Sequence, residues 1–250
     1  MIYICIPTHN DETTVGLVLW KIRQVFEEFH REYHMLVADD ASTDTTAEVL
    51  EPYERALPMT MLRTSEHIGH AAILEKLVRE ALNRTDRPRR DCMITLPADF
   101  SVSPAVLPNM IKRVESGADI VVGEALGEPV SPAMRGVRRL ATWLLKPGVQ
   151  LNGIHDVTSG VYAFRLITLR GCLKNQPSPL LHTEGRCANA ELVARAATVA
   201  RQIAAVPLAT ASPSKVRNSR ERPLSLAVSL IRAGRRLSIP APQTTIQRAT

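Results

Sequence analysis

The sequence predicts one α/β domain, a mostly parallel sheet with helices on both faces. Two observations carry that expectation. Short β-branched runs alternate with longer stretches of helical period, which is the pattern of βαβ units. The length, 250 residues, is near the upper size for one hydrophobic core. With 45% apolar and 22% charged residues the chain is far from the composition of disordered proteins, which cannot bury enough apolar surface to offset chain entropy.

The elements follow in order. Ile2 to Pro7 reads as the first strand. A helix over Thr14 to His30 follows, because Val15, Leu17, Val18, Leu19, Ile22, Val25, Phe26 and Phe29 recur at intervals of three and four and form one apolar stripe. Strands at His34 to Ala38, Met59 to Arg63, Cys92 to Leu96 and Asp119 to Gly123 then alternate with helices at Thr45 to Leu57, Gly69 to Asn83 and Pro104 to Ser116. After Gly123 the alternation loosens. Residues 124–155 mix Pro, Gly and basic residues around a helical patch, Gly136 to Lys146, and read as a long functional excursion from the sheet. A strand returns at Gly160 to Arg165, a helix at Ala188 to Arg201, and Ile203 to Pro207 is the expected last strand. Beyond Ser212 the Pro, Ser and Arg content predicts a mobile tail with one amphipathic segment, Leu224 to Leu237. The expected division is therefore a domain over 1–211 and a basic, partly amphipathic tail over 212–250.

No stretch approaches the ~20 unbroken apolar residues a bilayer core requires. Met1 runs directly into a strand-like segment, so no secretory leader is expected. The four cysteines (Cys5, Cys92, Cys172, Cys187) form no CxxC pair, which fits a reducing cytosol, and Cys5 and Cys92 read as small buried hydrophobes.

The net charge of +6 is unevenly placed. Residues 201–250 hold nine basic side chains against Glu221 alone, while the first 200 residues hold 22 basic and 24 acidic ones. A basic end on a near-neutral body points to a phosphate-rich partner: anionic lipid, a phosphorylated substrate or nucleic acid. Nucleic acid falls behind, because the basic segment has no interleaved aromatics and no reader motif.

In an open α/β sheet the ligand crevice lies beyond the carboxyl ends of the strands. Here those positions are strongly polar: Pro7-Thr8-His9-Asn10-Asp11 after the first strand, Asp39-Asp40-Ala41-Ser42-Thr43-Asp44 after the second, Pro97-Ala98-Asp99 after the fourth. No GxGxxG and no GxxxxGK[ST] is present, which sets aside dehydrogenase and P-loop readings. Asp44, with Ser42 and Thr43, reads as a helix cap. Asp39 and Asp40 read differently, because adjacent carboxylates repel unless a cation or hydrogen-bond donors join them. Such a pair suits a base N–H or ribose hydroxyls.

Together these segments resemble the inverting family 2 glycosyltransferases of the nucleotide-sugar-binding GT-A fold, and within them the dolichol-phosphate mannose synthase and polyprenyl-phosphate glycosyltransferase branch. That family opens with an Ile-Pro-Thr-Tyr-Asn-Glu-like segment, here Ile6-Pro7-Thr8-His9-Asn10-Asp11, and continues with a Val-Asp-Asp-Gly-Ser-Thr-Asp-like turn, here Ala38 to Asp44. The resemblance runs on through Gly117 to Gly123, Asp156 to Arg165, Glu191 to Ala196, Val206-Pro207-Leu208 and Ser214-Lys215, covering residues 1–217. It implies that 1–123 is the nucleotide-sugar-binding half and 124–211 the acceptor half. It also implies that Pro7, Thr8, Asp11, Asp39, Asp40 and Asp99 line the nucleotide-sugar pocket.

Asp99 would be the surviving carboxylate of the acidic metal motif and hold Mg²⁺ or Mn²⁺, which neutralises charge on the leaving nucleoside diphosphate. The alternative for Asp99 is a cap on the helix that follows. The family commonly has Asp-Ala-Asp and then Gln two residues on. This chain has Pro97-Ala98-Asp99 and Ser101, so two oxygen ligands are gone, and Ala41 and Thr45 replace glycines usual in the aspartate turn.

A polyprenyl phosphate acceptor carries its own anionic nucleophile and calls for cations more than for a base. Arg135, Arg138 and Arg139 in the excursion and Lys215 and Arg217 in the tail are the candidates, with the alternative of solvated surface arginines and lysine. Asp156 is the best carboxylate for orienting or deprotonating an acceptor, or else a turn-stabilising Asp. His67, His70, His155 and His182 match no metal-ligand spacing and read as capping, surface or core residues; His182, near Glu184, is the one to test as an extra ligand. The segment Leu224 to Leu237 is either an interfacial helix or a helix packed on the body.

The expected activity is transfer of a hexose-class sugar from a GDP- or UDP-linked donor to polyprenyl phosphate at the cytosolic membrane face, with peripheral contact to anionic lipid. Its rivals are a soluble transferase with a small-molecule or cell-envelope acceptor, and a nucleotide-sugar-binding protein without turnover, suggested by Pro97 and Ser101.

Overall fold

Period-2 alternation along the strands decides which side chains face which layer. In the computed structural model, which describes residues 1–124, 132–145, 154, 156–174, 179–208, 223–240 and 245–248, the elements run as follows. They are β1 (Ile2–Thr8), α1 (Val15–Glu28), β2 (Tyr33–Asp39), α2 (Thr46–Ala56), β3 (Met59–Arg63), α3 (His70–Arg84) and β4 (Cys92–Thr95). After a short 3-10 turn at Pro104–Val106 come α4 (Leu107–Glu115), β5 (Ile120–Glu124), α5 (Pro132–Leu144), β6 (Tyr162–Arg165), α6 (Leu166–Leu173), α7 (Arg186–Ala197), β7 (Gln202–Pro207), α8 (Pro223–Arg236) and β8 (Thr245–Arg248).

One sheet takes the order β3-β2-β1-β4-β6-β5-β7-β8. Every neighbouring pair is parallel except those of β6, which runs against both β4 and β5. Ile2, Ile4 and Ile6 of β1 point to a layer formed by α1, α2 and α4, with Val18, Leu19, Ile22, Leu50, Met110 and Ile111 in it. Tyr3 and Cys5 point to the other layer, where Leu74, Leu77, Leu169, Leu192, Val193 and Leu230 come from α3, α6, α7 and α8. Each large side chain sunk in this way contributes roughly 1.5–3 kcal/mol before the entropy of ordering is subtracted.

The α/β class, the GT-A-like sheet and the helices on both faces agree with the sequence expectation. Three features differ from it. The helix α6 was not expected, because Ile167 and Thr168 are β-branched and follow a strand without a break; it starts where the backbone N–H groups of Leu166 and Ile167 are captured by the carbonyls of Asp91 and Pro88 at 3.0 and 2.7 Å. The strand β8 adds an eighth member beside β7, so Ile203 to Pro207 is not the last strand. The expected mobile tail is corrected for α8, whose Leu226, Leu230, Ala233 and Leu237 are buried in the core while α8 packs on α5 and α7. At the crossing, Gly234 leaves no room for a side chain: a Cβ there would stand 2.5 Å from the Leu145 carbonyl oxygen.

Candidate active site

The carboxyl ends of β1, β2 and β4 share one edge of the sheet, since the three strands are parallel neighbours. Because β6 is antiparallel, the chain enters it from that same edge, and Thr95 at the end of β4 is paired with Tyr162 at the start of β6. The polar turns after β1, β2 and β4 and the loop before β6 are thereby delivered to one place.

All three turns bend through left-handed backbone at non-glycine residues: Asn10 at φ 56°, Ala41 at φ 50° and Phe100 at φ 55°. Such conformations persist where surrounding contacts impose them, and they concentrate at functional sites. Side chains of the first two turns lace together. Asn10 Oδ1 accepts from the backbone N–H groups of Thr43 and Asp44 at 2.8 and 3.3 Å, and its own N–H donates to Ser42 Oγ at 2.9 Å. Thr8 Oγ1 donates to Asp11 Oδ2 at 3.1 Å, and the Asp40 N–H donates to the Thr8 carbonyl at 3.0 Å. Pro7 sits in β1 beyond the stretch paired with β4, so its missing N–H costs no bond on that side. The N-cap position of α2 is Thr45 and not Asp44; Asp44, one residue before it, accepts from the Thr46 N–H at 3.0 Å. Burial would raise its pKa, but hydrogen bonds from Thr46 and neighbouring backbone outweigh this and lower it.

The adjacent aspartates are reconciled by donors, as their mutual repulsion demands. Asp40 is buried, and its Oδ1 accepts from the Ile68 N–H at 2.8 Å and from Thr64 Oγ1 at 3.4 Å. Its Oδ2 accepts from the Gly69 N–H at 3.0 Å and pairs with His67 Nδ1 at 2.9 Å. Asp40 thus ties the loop before α3 to the end of β2. Gly69, at φ 89°, holds a conformation that favours glycine, and this turns its N–H toward the carboxylate. Asp39 is fully buried; its Oδ1 accepts from the Ser42 N–H and hydroxyl, while among the described residues Oδ2 has no hydrogen bond and lies 3.4 Å from the half-exposed Arg63 Nε.

Asp99, half-buried after β4, accepts the Ser101 N–H on Oδ1 at 2.9 Å. It does not cap the following helix: Ser103 does so, accepting from the Ala105 N–H. In the loop before β6, Asp156 Oδ1 accepts both the N–H and the hydroxyl of Thr158 at 2.8 Å. Its Oδ2 is buried, and no donor reaches it among the described residues. Thr95 Oγ1 donates to the Gly160 carbonyl at 2.9 Å, and Tyr162 Oη donates to the Val157 carbonyl at 2.6 Å, fixing the loop. Burial raises the Tyr162 pKa and the nearby Asp156 charge adds to it, so this phenol stays a donor.

The start of α7 reaches these segments through two contacts. Arg186 Nη1 donates to the Thr158 carbonyl at 2.8 Å, and Asn189 Oδ1 lies 3.0 Å from His70 Nε2 at the start of α3. Glu191, fully buried, gathers the N–H groups of His182 and Thr183 at 2.9 Å and pairs with Arg195 at 2.7 Å.

The family model described as Glycosyl transferase family 2 matches residues 3–162. The chain belongs to glycosyltransferase family 2. Among curated relatives of this family 2 glycosyltransferase is the undecaprenyl-phosphate 4-deoxy-4-formamido-L-arabinose transferase of Pseudomonas aeruginosa, 26% identical over 171 residues, which are 66% of this chain and 47% of the relative. The dolichol-phosphate mannosyltransferase of Pyrococcus furiosus is 24% identical over 120 residues, 48% of this chain and 32% of the relative. The chain thus spans less than half the length of these relatives. Among solved structures, glucosyl-3-phosphoglycerate synthase from Mycobacterium tuberculosis, in complex with Mn²⁺, UDP and glucosyl-3-phosphoglycerate, has a TM-score of 0.62 at 20% identity over 96% of this chain and 81% of that one. S. aureus TarS 1–349 in complex with UDP-GlcNAc has a TM-score of 0.58 at 18% identity over 88% and 61%. These likenesses show the GT-A fold.

Of the residues expected at the nucleotide sugar, Pro7, Thr8, Asp11, Asp39 and Asp40 stand on two interlocked turns, and Asp99 and Asp156 lie on neighbouring segments of the same edge. Arg135, Arg138 and Arg139 lie on α5 with side chains outside the described residues; Lys215, Arg217 and His155 also lie outside them. Asp99 suits a divalent cation that keeps several waters, since one carboxylate together with substrate phosphates is enough for Mg²⁺ and Ser101 uses only one of its oxygens. His182 is exposed and takes no part in the three-ligand group found among the described residues, which is His9, Asp40 and His67. Sequence reasoning missed Arg186, which belongs to no motif and is brought to Thr158 only by the packing of α7.

Proposed function

We propose that this family 2 glycosyltransferase moves a hexose-class sugar, with inversion, from a GDP- or UDP-linked donor to polyprenyl phosphate at the inner face of a membrane. The observation that carries this reading is the outer surface of the packed pair α5 and α8. On α8, Leu224, Val228 and Ile231 recur at intervals of four and three and are exposed, Leu224 to 81%, beside exposed Arg232, Arg235 and Arg236. On α5, Leu140 and Trp143 are exposed to 52% and 65%. Apolar residues beside arginines suit the boundary between headgroups and acyl chains. No described helix is long and apolar enough to cross a membrane, so contact through this surface would be peripheral. The names of the curated relatives, two of them polyprenyl-phosphate sugar transferases, support the same acceptor class.

In this reading Pro7, Thr8, Asp11 and Asp39 hold the nucleoside, with the unfilled Oδ2 of Asp39 accepting from base or ribose, while Asp40 keeps the wall at residues 64–69 in place. Asp99 holds Mg²⁺ or Mn²⁺, which supplies charge neutralisation to the leaving diphosphate. Arg135, Arg138 and Arg139 from α5, with Lys215 and Arg217, bind the acceptor phosphate and offset its charge as it approaches the sugar. Asp156 orients the acceptor.

A second reading has one observation in its favour. The buried, donorless Oδ2 of Asp156 suits deprotonation of a hydroxyl acceptor better than contact with a phosphate, which it would repel. The test is product formation from UDP- and GDP-sugars with Mn²⁺, offering undecaprenyl phosphate in anionic vesicles beside small hydroxyl acceptors. Glycolipid product, together with co-sedimentation lost in Leu224→Glu/Val228→Glu, is the expected outcome. Product on hydroxyl acceptors alone, with no vesicle binding, would establish the second reading.

A further inference from the structure

At the rim of the donor-side turns one ring nitrogen of His9, one of His67 and a carboxylate oxygen of Asp40 lie within 4.8 Å of one another. We propose that these three side chains form a site for a borderline divalent cation of the Zn²⁺, Co²⁺ or Ni²⁺ class, separate from the carboxylate Asp99. The site goes beyond the transferase reading and does not depend on it.

Four features support it. Imidazole suits borderline transition metals, whereas a lone carboxylate with phosphates and waters suits Mg²⁺ and Mn²⁺. His9 Nδ1 donates to the Asp40 carbonyl at 2.7 Å, a backbone hydrogen bond of the kind that fixes the tautomer of a ligating imidazole, and a cation on Nε2 would displace the Asn10 Nδ2 donor now 3.2 Å away. His67 Nδ1 lies 2.9 Å from Asp40 Oδ2. Two ligand atoms about 2.0 Å from one Zn²⁺ at a tetrahedral angle stand about 3.3 Å apart, so a cation that replaces the proton between them needs little movement. Finally, the two imidazoles are already neighbours, with ring centroids 4.5 Å apart, and both residues are exposed, so they can close on an ion without disturbing the core.

Asp40 is rigidly held by the Ile68 and Gly69 N–H groups, which makes it the fixed member about which the two rings close. Three protein ligands leave a fourth position open to water or to an oxygen of an incoming ligand, as in sites that are not purely structural. Neighbouring thiols do not compete, since Cys5, Cys92, Cys172 and Cys187 are all buried.

The experiment uses the full chain, stripped with chelator, and the metals alone without nucleotide. Calorimetric titration with Zn²⁺ is expected to show one site that His9→Tyr and His67→Ala each weaken at least tenfold, while Asp99→Ala leaves it unchanged. Co²⁺-loaded protein is expected to show the visible absorption of a low-coordinate nitrogen- and oxygen-ligated ion, and X-ray absorption of the Zn²⁺ form two imidazole scatterers. Circular dichroism reports whether each variant is folded; should one histidine variant fail to fold, the other and the parent's absorption spectrum still decide. Absence of stoichiometric Zn²⁺ uptake, uptake untouched by both histidine substitutions, or uptake lost with Asp99→Ala would overturn the site. Because no sugar nucleotide is present, any of these outcomes leaves the transferase reading standing.

Discussion

The turn after β2 and the loop before β6 each bury an aspartate, and they treat it in opposite ways. Asp40 has both oxygens occupied, by two backbone N–H groups, a threonine hydroxyl and an imidazole. Asp156 has one oxygen filled by Thr158 and one with no donor among the described residues. A buried carboxylate oxygen without a donor costs free energy, so it persists where a ligand completes it or where function requires it. The Asp40 carboxylate is held by the protein's own hydrogen bonds on both oxygens, whereas Asp156, like Asp39 beside Asp40, has one oxygen that no donor reaches among the described residues.

The largest expected effect tests the unfilled oxygen. Asp156→Asn should reduce turnover on a hydroxyl acceptor by about 10²–10⁴, the usual weight of a general base, with nucleoside diphosphate affinity unchanged. Steady-state kinetics beside calorimetry measures both, and a loss of nucleotide affinity would erase the contrast between the two aspartates. Next, Asp40→Ala strips the Ile68 and Gly69 N–H groups of their acceptor and should cost about 2–5 kcal/mol in urea unfolding, with faster hydrogen exchange over residues 64–70. Unaltered exchange there would mean that the loop is held by something else.

A smaller effect comes from the helix crossing. In Gly234→Ala the new methyl group meets the Leu145 backbone, so α8 must shift away from α5, at about 1–3 kcal/mol. A thermal melt in which the midpoint does not fall would show that α8 is not seated there. The smallest change should be a gain: Ala41→Gly relieves a left-handed residue at φ 50° and should stabilise by up to about 1 kcal/mol, offset in part by the greater freedom of glycine in the unfolded chain. Equal urea midpoints would mean that the strain at this turn is negligible.

Much of this was legible in the residues themselves. The β-branched runs at Ile2, Cys92 and Ile203 each became a strand, because a strand buried on both faces leaves a short continuous apolar run. Asp39, Asp40 and Asp99 stood out because polar residues at a strand's exit are conspicuous after such runs. What the residues hid depends on contacts between distant segments. The direction of β6 has no signature in Tyr162 to Arg165, since strand alternation is the same read either way. His9 and His67 are 58 positions apart and meet only because Asp40 draws in the loop before α3. Arg186 reaches Thr158 through helix packing, and the burial of α8 was an even choice from an amphipathic pattern that suits water, lipid and protein alike.

The reversed strand β6 has one more consequence. Because it runs opposite to β5, the polypeptide that departs from Glu124 and rejoins the sheet at Tyr162 has both its ends on the same rim, so the stretch behaves as an inset cassette and not as a crossover. A change of length in that stretch would leave the order and direction of the strands beneath it as they are.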